Sequence, residues 1–82
     1  MATLQFVIDN ICASFPAEFL YRHIRERLSE GEFEVDEILP AIQDRDKSLD
    51  VGSARQLAEA ALEDLEEEGI LKLDGDIVLP AV

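Results

Sequence analysis

The apolar positions of this chain fall into helical and strand-like spacings that can be read directly. Ala54, Leu57, Ala58, Ala61, Leu62 and Leu65 recur three and four apart, which draws one apolar stripe along a helix. Gly69 follows the last acidic turn, where a helix commonly ends in a left-handed residue. Ile70, Leu71 and Leu73, then Ile77, Val78 and Leu79, flank Asp74-Gly75, a pair favoured in type I′ hairpin turns. The stretch from Asp50 to Pro80 thus predicts a helix over 51–68, capped by Asp50 or Ser53, and then two short strands.

The first half is helical by the same rule. Leu4, Val7, Ile8, Ile11, Cys12 and Phe15 share one face of a segment running from Thr3, a good N-cap, to Phe15. Phe6, Val7 and Ile8 also favour extended structure, but the helical spacing persists over three turns. Pro16 suits the first turn of a second helix, where its missing N–H costs nothing. Ala17, Leu20, Tyr21, Ile24 and Leu28 form the buried stripe of that helix, and Glu18, Arg22 and Glu26 lie four apart on another face. Ser29 to Gly31 ends it. Phe33 and Val35 alternate with Glu32 and Glu34, as in a brief strand. Asp36 is then the expected N-cap of a short third helix holding Ile38, Leu39 and Ile42, with Pro40 about one turn inside. Residues 44–48 form a charged loop, after which Leu49 returns to the core.

These elements predict an α+β domain over 1–82, with an extra N-terminal helix at 1–15 and a core at 16–80. The core is expected from Ile8, Ile11, Leu20, Ile24, Leu28, Ile38, Ile42, Leu57, Ala61, Leu65, Ile70 and Val78. A long helix followed by a hairpin, over residues 17–80, resembles the recognition helix and wing of a winged helix-turn-helix domain. That resemblance implies three core helices and a small antiparallel sheet, the Phe33 strand adding to the hairpin. A strongly apolar extra helix packs on the domain's own back or, alternatively, makes a homodimer through residues 4–15.

Charge changes the functional picture. Nineteen acids against seven Lys and Arg give −12, and residues 56–82 carry −7 of it. Such a surface repels phosphate backbones and anionic membranes and attracts basic partners, although acids also simply keep a small domain soluble. The single Cys12 excludes an internal disulfide and a multi-cysteine metal site. No charged, apolar leader and no apolar run near 18 residues is visible, so a cytoplasmic address is expected.

Candidate chemistry is sparse. His23 has no serine or cysteine at helical spacing on its face, so a nucleophile–base pair is not expected and neither is an enzyme. Asp74-Gly75-Asp76 offers too few acids for a calcium loop, and Glu63 to Glu68 radiate outward from a helix, so no metal or cofactor is implied. Arg22, His23, Arg25 and Arg27 concentrate base on the second helix, but interleaved acids offset it.

Two functions remain. The first is an acidic, non-enzymatic protein-interaction or regulatory module whose contact surface is Glu59, Glu63, Glu66, Glu67, Asp74 and Asp76, facing a partner with a basic surface. A narrower form is an inhibitor that mimics nucleic acid. The alternative, which the winged-helix resemblance implies, is a DNA-binding transcriptional regulator using the first turns of helix 51–68. Ser53, Arg55 and Gln56 would then meet bases, and Arg45 and Lys47 would contact phosphates. Against it, Glu59, Glu63 and Glu66 continue that same helix face, and few cations are available to neutralise phosphates.

Overall fold

The computed structural model describes residues 4–10 and 16–81. In order along the chain, these form α1 (Leu4–Asn10), α2 (Ala17–Glu30), β1 (Phe33–Glu34), a 3₁₀ turn (Val35–Ile38), α3 (Leu39–Arg45), α4 (Val51–Glu67), β2 (Leu71–Asp74) and β3 (Ile77–Pro80). The architecture is α+β: four α-helices and a three-stranded antiparallel sheet among the described residues.

α4 is the organising element because it is apolar over more than a single stripe. Ala54, Leu57, Ala58, Ala60, Ala61, Leu62 and Leu65 are all buried, and α1, α2, α3 and β2 all pack against it. Its ends are closed as the sequence suggests. Asp50, not Ser53, is the cap: its carboxylate accepts the Ser53 N–H at 2.7 Å. Gly69 adopts φ +79, which lets its N–H reach Glu66 O at 3.0 Å and the Ile70 N–H reach Leu65 O at 3.0 Å. Two otherwise orphaned carbonyls are thereby satisfied, and Ile70 folds back toward Leu65.

The sheet order is β1-β3-β2, with Phe33 opposite Val78 and Leu73 also opposite Val78 on the other side. Asp74 pairs with Ile77, so the two-residue loop is Gly75-Asp76, one position beyond the expected Asp74-Gly75. Gly75 at φ +62 supplies the left-handed residue that such a loop requires. Glu66 on α4 covers part of the exposed edge, its carboxylate accepting the Leu73 N–H at 3.1 Å.

Other expectations shift by a residue or a role. Pro16 is the residue before α2, in extended conformation, rather than a member of its first turn. Asp36 does not cap a helix. The chain leaves β1 through the 3₁₀ turn, begun at Glu34, whose N–H is held by the Glu37 carboxylate at 2.8 Å. α3 then starts at Leu39, which puts Pro40 among the first free N–H positions. The expected Glu18–Arg22–Glu26 series does not close into ion pairs; Arg27 pairs with Glu30 and Glu37 instead. Of the expected core, Leu28 and Ile70 are only partly buried, while Leu4, Phe33, Val35, Leu39, Ala54, Ala58, Ala60, Leu62 and Leu71 join it and Leu49 returns to it as expected. Thr3, Ile11, Cys12 and Phe15 lie outside the described residues.

Candidate functional site

Two polar nodes stand on α4, and only the first gathers residues proposed for function from sequence. The first is Arg55, one turn into the helix and a third exposed. Its Nη1 donates to Asp36 at 2.7 Å, its Nη2 to Asp76 at 2.6 Å and its Nε to Glu59 at 3.1 Å. The 3₁₀ turn brings Asp36, the hairpin tip brings Asp76, and Glu59 stands one helical turn along α4. The Val35 N–H donates to Asp76 O at 2.9 Å, which fixes the tip against the turn. The Glu59 hydrogen bond, with the charges of Asp76 and Asp36, raises the guanidinium above its usual range. Arg55 is a clamp between three elements.

The second node is Asp64 near the other end of α4. One carboxylate oxygen accepts the Tyr21 hydroxyl at 2.8 Å and the Leu4 N–H at 2.9 Å. Asp64 therefore holds the start of α1 and the middle of α2 to the long helix. Burial, together with the hydrogen bond and charge of Asp64 and the charge of Glu68, pushes the Tyr21 phenol up to about 12. Leu4 and Ile8 are buried against their own domain. Of the apolar face offered as a homodimer surface, Leu4 and Ile8 are thus covered within the chain, while residues 11–15 lie outside the described ones.

Of the expected acidic contact residues, Glu59, Glu63 and Asp76 come together. They line a groove of about 240 Å³ between α4 and the hairpin, whose other walls include Val35, Leu62 and Leu73. Glu66 is engaged with the edge of β2. Glu67 and Asp74 are exposed but do not line that groove.

The residues of the DNA alternative do not assemble into one basic surface. Arg55 faces three carboxylates. Arg45 lies over the Phe19 ring, 5.1 Å from its centroid. The Ser53 N–H is held by the helix cap. Gln56 lines an adjoining groove with Val7, Asn10, Ala60, Glu59 and Glu63, on the α1 side of α4. Lys47 is exposed on the charged loop. The basic stretch of α2 lines a groove of about 530 Å³, where Arg22 and Arg25 stand beside Glu18, Glu26 and Glu68. His23 stacks on Phe19, the ring centroids 6.1 Å apart.

Sequence reasoning missed Asp36 as an Arg55 partner and the Tyr21–Asp64 bond. Neither has a local signal, since the partners stand 19 and 43 positions apart. Among the described residues no three His, Cys, Asp or Glu side chains converge as a metal would need. Nor is any helix among them long and apolar enough to cross a membrane. No known protein family, curated protein or solved structure matches this chain.

Proposed function

We propose that the chain is an acidic, non-enzymatic protein-interaction module that docks a basic protein surface through the exposed side of α4 and the hairpin. The observation that carries this reading is the engagement of Arg55. The one cation in the first turns of α4 is neutralised by Asp36, Glu59 and Asp76, and the exposed carboxylates of Glu63, Glu67 and Asp74 set the charge of the surrounding face. A face of this kind raises the association rate of cationic partners and repels phosphates. The winged-helix reading accompanies the proposal. It is supported by the order of elements and by β1 pairing with the second hairpin strand; on that reading α4 is the counterpart of a recognition helix.

The test is a pair of titrations at low salt, one with an arginine-rich peptide and one with a mixed-sequence DNA duplex. Peptide binding that fades with rising salt, is weakened by Glu63→Lys with Glu67→Lys, and has no DNA counterpart is the expected result. Duplex binding with a steep negative salt slope would transfer the function to the DNA-binding alternative.

A further inference from the structure

The groove between α4 and the hairpin combines apolar lining with an acidic rim. Val35 and Leu62 are buried and Leu73 is half-buried, so they form an apolar floor, while Glu59, Glu63 and Asp76 stand exposed at the rim. A surface evolved only to stay soluble has no need of this combination. Long basic side chains match it, because they lay an aliphatic stem on apolar surface and keep the charged head at a carboxylate.

Two of the rim carboxylates already hold a guanidinium, that of Arg55, at 3.1 Å from Glu59 and 2.6 Å from Asp76. Both carboxylates thus bind a guanidinium within the chain through one oxygen each, Glu59 Oε2 and Asp76 Oδ1. Charge is also left over. Asp36, Glu59, Glu63 and Asp76 meet one cation at this corner, and Glu63 has no ion-pair partner among the described residues.

We infer that this groove receives a single arginine side chain of the partner protein, its stem on Val35, Leu62 and Leu73 and its guanidinium at Glu63 and the outer faces of Glu59 and Asp76. The inference rests on the proposed acidic docking face and names its anchor point. Arginine is favoured over lysine because the guanidinium is planar, more weakly hydrated and able to bridge two carboxylates, whereas an ammonium is a compact, strongly hydrated charge.

The experiment is an NMR titration of the whole chain with a capped Gly-Gly-Arg-Gly-Gly peptide, repeated with its lysine and citrulline counterparts. Amide shifts should concentrate at Val35, Leu62, Leu73, Gly75 and Asp76. The arginine peptide should bind more tightly than the lysine one, and citrulline should not bind. Glu63→Gln should weaken the arginine peptide about two- to fivefold, the range of one exposed ion pair. Glu67→Gln, which removes the same charge outside the groove, should weaken it less. Both substitutions fall on exposed side chains, so the amide spectrum of each variant reports directly that the fold is kept. Shifts spread evenly over the acidic face, with equal effects of the two substitutions, would overturn the groove and leave the docking face standing. No binding by the arginine peptide here, nor by an arginine-rich peptide at low salt, would overturn both.

Discussion

Arg55 and Asp64 stand on the same helix, nine positions or about 14 Å apart, and organise opposite kinds of contact. At Arg55 one cation gathers three carboxylates, all at least half-exposed, from three elements. At Asp64 one carboxylate gathers two neutral donors, the Tyr21 hydroxyl and the Leu4 N–H, at part-buried positions. The difference teaches where each node acts. Exposed ion pairs are screened by salt and hold geometry more than they add stability. Hydrogen bonds to a charged group away from water are stronger and less sensitive to salt. The Asp64 node is therefore the structural one, while the Arg55 node ties exposed segments together through screened charge.

The largest expected effect calibrates both nodes against plain burial. Leu65 neighbours Asp64, is 1% exposed and is met by Ile70 after the helix stop. Leu65→Ala should cost about 2–5 kcal/mol, read as a fall in the denaturant midpoint. A loss well under that range would mean the C-terminal end of α4 is looser than its packing indicates.

Tyr21→Phe should come next, at about 1 kcal/mol near neutral pH, a part-buried hydrogen bond to a carboxylate discounted for its exposure. Its pH signature is more specific. The folded phenol titrates near 12 against an ordinary 10.0, so the folded state holds this proton more tightly. The Tyr21 contribution is complete below pH 10 and is lost as pH rises from 10 toward 12. The difference in unfolding midpoint between the parent and Tyr21→Phe should shrink across that window. A difference constant through it would mean that Tyr21 does not share its proton with Asp64.

The smallest effect on stability belongs to Arg55→Gln. It should lower the midpoint less than Tyr21→Phe does, and the deficit should diminish in high salt, where repulsion among Asp36, Glu59 and Asp76 is screened. A deficit as large as that of Tyr21→Phe and insensitive to salt would erase the distinction between the two nodes.

Much of this architecture was legible because its signals are local. The apolar spacing of residues 54–65, a cap at Asp50 or Ser53, the Gly69 stop and the two apolar runs of the hairpin each act within a few residues, so chain order alone reveals them. The misses were mostly one-residue matters where two local solutions compete. Gly75 can occupy either central position of a two-residue turn, and pairing of Asp74 with Ile77 chose the first. Asp36 is a good helix cap in isolation, but a 3₁₀ turn begun at Glu34 placed it outside that role.

The candidate site was legible as a list of acids and not as an arrangement. Sequence by itself determined the helices, the hairpin, the apolar inventory and an excess of negative charge, because period, turn chemistry and charge count are properties of neighbouring residues. Only the tertiary structure decided that Arg55 is clamped rather than available, that Glu59, Glu63 and Asp76 border one apolar-floored groove, and that Asp64 binds Tyr21 and Leu4. Those outcomes depend on residues such as 36, 55 and 76 arriving at one corner, and that distance is set by how the elements pack, which no spacing along the chain encodes.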